Sequence, residues 1–163
     1  MSKSILSGKT ILAVDDEPDV LALLEEEIME SCPDCLLDTA TTYEGGVKFL
    51  ESKPYDVVIL DIMGVNGFEL LDLAVKKGLK VAILTAHALS PEALKKSMEM
   101  KARAYLPKEK LGQVVPFLED MLEYDYESGW KHLMGKLYGF FNDKFETDWE
   151  KKTGGPWNEW IGK

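Results

Sequence analysis

The sequence predicts an α/β protein: a doubly wound, five-stranded parallel sheet followed by a helical extension. Three observations predict it. Five short apolar runs alternate with longer stripes of helical spacing. The central runs are continuous and β-branched, as strands covered on both faces require. Acids, a threonine and a lysine stand just past four of the runs, and a parallel sheet gathers such positions at one edge, where open α/β sheets keep their ligand crevice.

The elements follow in order. Residues 11–14 (ILAV) read as a strand, and residues 20–29 as a helix with Leu21, Leu24 and Ile28 at 3–4 spacing. Residues 36–40 make a weaker strand, which Asp38 assigns to an edge. Thr41 and Glu44 have capping-box spacing, predicting a helix to about Glu51. Residues 57–60 (VVIL) form the next strand. Asn66 and Glu69 repeat the cap spacing before a helix through Phe68, Leu71 and Val75, which Gly78 stops. Residues 81–84 are a buried strand. Ser90 before Pro91 starts a helix, the hydroxyl capping and the proline filling the first turn. Residues 104–106 form the fifth strand, and Leu111, Val114, Val115, Leu118, Met121 and Leu122 form the last helical stripe. Right-handed crossovers then place helices on both faces.

Composition shifts near residue 124, which divides the chain into a first domain at 1–124 and an extension at 125–163. The extension holds 9 of the 16 aromatic residues and all four tryptophans, with six lysines against seven acids. Trp130, Leu133, Leu137, Phe141 and Phe145 predict one helix from about Gly129 to Lys152, ended by Gly154-Gly155-Pro156. Such a face must be buried, against the chain's own first domain, a second copy or a target protein. Gly135 and Gly139 leave open a close helix contact.

Net charge is −10, without a basic cluster, which disfavours nucleic-acid binding. No apolar stretch reaches the roughly 18 residues of a membrane span, and residues 1–10 lack a signal-peptide core, so no membrane partner and a cytoplasmic location are expected. Cys32-Pro33-Asp34-Cys35 has redox or half-zinc spacing but lacks a second ligand pair, and reads as a pair of inert loop thiols. His132 reads as a surface residue.

Asp15 and Asp16 follow the first run, Asp61 the third, Thr85 the fourth and Lys108 the fifth. Carboxylates ~4 Å apart repel by about 4 kcal/mol at an effective dielectric near 20. Mg²⁺ relieves that repulsion, since it takes oxygen ligands from one or two carboxylates plus phosphate. Lys108 can neutralise phosphate oxygens and Thr85 can donate a hydrogen bond. Asp61, ahead of the Met63-Gly64 turn, is the candidate nucleophile for an aspartyl phosphate.

The motifs ILAVDDEPDVLALL, DVVILDIMGVNGFELL, VAILTA and AYLPKEKL strongly resemble the receiver domain of bacterial two-component response regulators, from Lys9 to about Glu123. The resemblance implies a flavodoxin-like strand order 2-1-3-4-5 and Mg²⁺-dependent phosphotransfer to Asp61 from a sensor histidine kinase or phosphotransfer protein. Asp16, Asp61 and the Met63 carbonyl would hold Mg²⁺, with Asp15 acting mainly through water. Thr85 and Lys108 would contact the phosphoryl group, and Tyr105 would be the aromatic switch. Met63 and His87 occupy positions that tune phosphoryl lifetime in the family. This chain departs from the pattern with Gly64 where proline is usual after Met63, without a proline after Lys108, and with Lys101 where glycine is common.

The reading is therefore a response regulator that signals through protein contacts, with no DNA-binding output and no enzyme activity beyond its own phosphorylation and dephosphorylation. The alternative is a phosphorylation-independent scaffold with the extension as docking helix. A haloacid-dehalogenase-like phosphatase is disfavoured, because Asp61-Ile62-Met63 lacks the second acid that family uses.

Overall fold

A computed structural model describes residues 4–87 and 89–161. Five parallel strands, β1 (Thr10–Val14), β2 (Leu36–Ala40), β3 (Val57–Leu60), β4 (Lys80–Thr85) and β5 (Ala104–Pro107), form one sheet in the order β2-β1-β3-β4-β5. The continuous apolar runs are the buried strands, with every residue of β3 and β5 out of solvent. β2, interrupted by Asp38, takes the edge.

Helices α1 (Pro18–Ser31), α2 (Tyr43–Ser52), α3 (Gly67–Lys76), α4 (Pro91–Glu99) and α5 (Val114–Glu123) connect and cover the strands. α1 packs beside α5, and α2 beside α3. A 3₁₀ turn over Lys108–Gln113 precedes α5. The Ser90 hydroxyl caps α4 by accepting from Ala93 N, as expected. At α2 the cap lies one residue later than predicted: Thr42, not Thr41, accepts from Gly45 N. Both threonines offer the same hydroxyl, so local spacing could not separate them. Asn66 occupies the predicted N-cap of α3 but makes no side-chain cap; its backbone is left-handed, with φ 51°. Gly78 (φ 79°) ends α3, with its own N–H on the Val75 carbonyl and Leu79 N on that of Ala74. Lys101, at the position where glycine is common in the family, has φ 75°.

After α5 come α6 (Tyr126–Lys144), the single turn α7 (Trp149–Lys152) and a 3₁₀ turn over Trp157–Glu159. The expected single helix to Lys152 is broken. Phe145 caps α6 in extended conformation and Asp148 is left-handed at φ 61°, so the chain reverses direction between the helices. The reversal lets Trp149 turn back onto Phe145 and Trp160, ring centroids 5.2 and 6.2 Å away. Helical periodicity continues through Phe145 in the sequence, and this aromatic clustering overrides it.

Of the three burial sites left open for α6, the structure uses the chain's own sheet. α6 packs on α5 and β5. Trp130, Met134 and Phe141 are fully buried, and the Trp130 indole N–H donates to the Ala102 carbonyl at 2.9 Å. The Tyr126 hydroxyl donates to the Met98 carbonyl of α4, and burial pushes its pKa up to about 12. Gly135 and Gly139 face open space, so they serve no close helix contact. His132 is exposed and stacks on Tyr124 at 3.9 Å. Cys32 and Cys35, expected as inert loop thiols, are buried and paired as a disulfide with Cα atoms 5.6 Å apart. The turn after α1 carries both sulfurs inward, Cys35 Sγ against the Leu6 carbonyl.

Candidate functional site

Parallel pairing puts the ends of β1, β3, β4 and β5 on one rim. Val14 is in register with Leu60, and Thr85 with Pro107, so the residues that follow them, Asp15, Asp61 and Lys108, converge. Asp15 and Asp61 are each 2 % exposed and Thr85 is fully buried, whereas Asp16 is exposed.

Lys108 is the hub. Its Nζ donates to Asp61 Oδ2 at 2.9 Å and to Glu17 Oε1 at 2.7 Å. It lies 3.0 Å from Asp15 Oδ2 as an ion pair, but without hydrogen-bond alignment, so that buried oxygen keeps an unused lone pair. The other oxygens are fixed by backbone: Asp15 Oδ1 accepts from Glu17 N at 2.9 Å, and Asp61 Oδ1 from Ile62 N at 2.8 Å. Burial opposes the Lys108 charge, but the hydrogen bonds to Glu17 and Asp61 and the ion pair with Asp15 outweigh it and hold the ammonium above its ordinary pKa. Burial pushes the Asp15 carboxyl up, and the Lys108 hydrogen bond holds Glu17 below the usual carboxylate range.

Carboxylate oxygens of Asp15, Asp16, Glu17 and Asp61 all lie within 4.8 Å of one another. Four acids against one ammonium, with an unsatisfied buried oxygen among them, suit a hard divalent cation. Glu17 was missed in the sequence reading, although it directly follows the acidic pair and its proximity was the available signal.

Two glycines shape the rim. Gly64 has φ 84°, and a Cβ there would stand 2.2 Å from Asp16 Oδ2. Glycine, in place of the usual proline, thus leaves room for the Asp16 carboxylate. At Gly67 a Cβ would stand 2.0 Å from the Asp61 carbonyl oxygen, so the first turn of α3 rests directly on the backbone of Asp61. Met63 is an exposed residue of the intervening turn. His87 is also exposed, with Nε2 4.0 Å from Glu17 Oε1. Tyr105 lies outside the acidic cluster: it is fully buried on β5, its hydroxyl accepting from Ser90 N at 3.1 Å.

Residues 11–115 match the response regulator receiver domain. The chain belongs to the response regulator receiver family. The response regulator protein TrrA from Thermotoga maritima, solved in complex with Mg(2+)-BeF, is similar at 34 % identity and a TM-score of 0.60, covering 70 % of this chain and 99 % of that one. A CheY-like receiver domain protein from Methanospirillum hungatei is 26 % identical with a TM-score of 0.60, covering 72 % and 98 %. The transcriptional regulatory protein TcrA of Mycobacterium tuberculosis is 38 % identical over 66 residues, which span 39 % of this chain and a quarter of TcrA. The receiver match ends at residue 115, so α6 and α7 lie outside it. Receiver domains bind Mg²⁺ in an acidic pocket and work with sensor histidine kinases or phosphotransfer proteins, and this receiver carries such a pocket. No helix among the described residues is long and apolar enough to cross a membrane.

Proposed function

We propose that this receiver accepts a phosphoryl group on Asp61 from a histidine kinase or phosphotransfer protein and signals through protein contacts. One observation carries the reading: Asp61 ends the central strand, buried, with Lys108 at 2.9 Å and two further aspartates beside it. A carboxylate oxygen of Asp61 forms the new P–O bond as the donor's P–N bond breaks, and the electron pair leaves with the imidazole. Lys108, already on Asp61, follows the charge onto the phosphoryl oxygens, and Thr85 donates to one of them. Asp15, Asp16 and Asp61, with the Met63 carbonyl, would hold Mg²⁺, which when bound supplies charge neutralisation for the incoming anion. Met63 and His87, exposed at the rim, stand where they can govern water access and so phosphoryl lifetime.

The chemistry stays on the chain's own side chain: the acyl phosphate forms and is lost, with no turnover of an outside substrate. The acidic balance of −10 and the burial of α6 on the receiver support protein partners over nucleic acid. A cytoplasmic address goes with this reading.

Incubation with acetyl phosphate and Mg²⁺, followed by intact mass, tests it. The expected result is a gain of one phosphoryl group that EDTA prevents and Asp61→Asn abolishes. An adduct that persists in Asp61→Asn overturns the assignment of the acceptor. Equal partner binding by wild type and Asp61→Asn would favour the scaffold reading instead.

A further inference from the structure

At the end of the sheet away from the acids, where β1 and β2 begin, Cys32 and Cys35 are joined across a turn. Cys32 caps α1, its carbonyl accepts from Cys35 N at 3.1 Å, and Leu36 N opens β2 by donating to the Lys9 carbonyl. Backbone hydrogen bonds therefore hold the turn whatever the sulfurs do. A link between residues only 3 apart in sequence removes little freedom from the unfolded chain, so it is a weak staple for the fold.

Each sulfur has an acceptor that only a thiol can use. Cys35 Sγ lies 2.9 Å from the Leu6 carbonyl, and Cys32 Sγ lies 3.3 Å from Asp34 Oδ1. A disulfide carries no S–H, so both hydrogen bonds belong to the reduced pair. The reduced state is thus prepared on the same backbone, and stabilising a dithiol makes its disulfide easier to reduce. Access is controlled by cover. Cys32 and Cys35 are 2 % and 4 % exposed, and Leu6, itself fully buried, seats its carbonyl on Cys35. The segment that carries Leu6 is latched at both ends. The Ser7 hydroxyl donates to Asp34 Oδ2 at 2.5 Å, and the Ser4 hydroxyl to Glu119 of α5 at 2.7 Å.

We propose that Cys32 and Cys35 form a reversible redox site, opened by dithiols and closed again by disulfides, with residues 4–9 as its latch. A thiolate of the dithiol attacks Cys32 Sγ, which adjoins the exposed Pro33-Asp34 turn. The S–S bond breaks, and the electron pair leaves on Cys35, which takes a proton and donates to the Leu6 carbonyl. The reductant's second thiolate attacks its own sulfur in the mixed disulfide. Cys32 then leaves, takes the second proton and donates to Asp34. The reductant ends as a cyclic disulfide, two electrons poorer, and both its thiol protons end on the cysteines. Closing runs the same exchange backwards on an added disulfide. It takes one donor from the Leu6 carbonyl, which keeps Lys9 N. The site stands at the opposite end of the strands from Asp61 and does not depend on phosphorylation.

The test uses the full folded chain and dithiothreitol. Free thiols are trapped with N-ethylmaleimide and counted by intact mass, while circular dichroism follows the fold. The expected result is two labels gained without denaturant, an unchanged far-ultraviolet spectrum, and no labelling once bis(2-hydroxyethyl) disulfide has closed the pair. Ser7→Ala is expected to speed reduction roughly 2- to 10-fold, the worth of one hydrogen bond in the latch. Asp34→Ala removes the acceptor of Cys32. In buffers of mercaptoethanol and its disulfide it is expected to move the equilibrium toward the closed pair by roughly 2- to 10-fold, and Asp34→Asn by less. Labels that appear only after denaturation make the link a fixed crosslink and overturn the proposal. Thiols that the added disulfide does not close, or a mixed disulfide that never resolves, overturn it as well. An unchanged rate in Ser7→Ala removes the latch.

Discussion

The acidic rim and the surface under α6 are built on opposite principles. At the rim, Asp15, Glu17 and Asp61 surround one lysine, and directional bonds to named partners hold all four of these side chains. Under α6, aromatic and aliphatic side chains share a buried surface, with few hydrogen bonds among them. The rim tolerates little change of geometry because its charges are desolvated. The α6 surface is governed by volume and shape. Function at the rim is thus sensitive to small displacements, while attachment of α6 depends on how much is buried.

The largest break in that contrast is Trp130→Ala. It removes the biggest fully buried side chain and leaves the Ala102 carbonyl without its donor. Loss of a buried tryptophan costs about 3–5 kcal/mol, so thermal denaturation is expected to show a fall in Tm of many degrees. If the two regions are independent, Mg²⁺ affinity of the folded fraction stays unchanged.

Gly64→Ala tests the rim with a single methyl group. The methyl would collide with the Asp16 carboxylate and sit on a backbone at φ 84°. Mg²⁺ affinity is expected to fall roughly 10- to 100-fold, the range for displaced support of a metal ligand. Titration calorimetry checks this. Unchanged affinity would mean that Asp16 is not needed for the cation.

The smallest effect is expected at Asp125, which caps α6 by accepting from Ser128 N. That hydrogen bond holds its carboxyl below the ordinary aspartate value of 3.8. A depressed folded-state pKa gives stability that is present above the unfolded value and lost as pH falls through the folded one. The α6 contribution is therefore constant at neutral pH and declines below about pH 4. Asp125→Asn, which still caps, is expected to keep neutral-pH stability better than Asp125→Ala and to lose the acid dependence. Thermal denaturation at pH 7 and pH 3 checks it.

These two principles also explain what the sequence disclosed. Asp15, Asp16, Asp61, Thr85 and Lys108 each stand at or beside the end of an apolar run, and parallel topology converts that position into proximity. The strands themselves and the Ser90 cap were legible for the same reason, because identity and spacing decide them locally, whereas the strand order came only with the family resemblance. Glu17 was not, because its role comes from Lys108, 91 residues away. The aromatic stripe of α6 required burial without saying where, since any apolar surface meets the demand. The break after Lys144 was illegible because Trp149 and Trp160 cluster only once the chain has turned back. The cysteine pair was misread because its burial depends on the segment around Leu6.

Gly67 carries one more consequence. Where any other residue would interpose a Cβ, α3 bears directly against the carbonyl of Asp61. Strand β3 and helix α3 therefore form a fixed anvil, and a chemical event at the Asp61 side chain has no slack to dissipate in that direction.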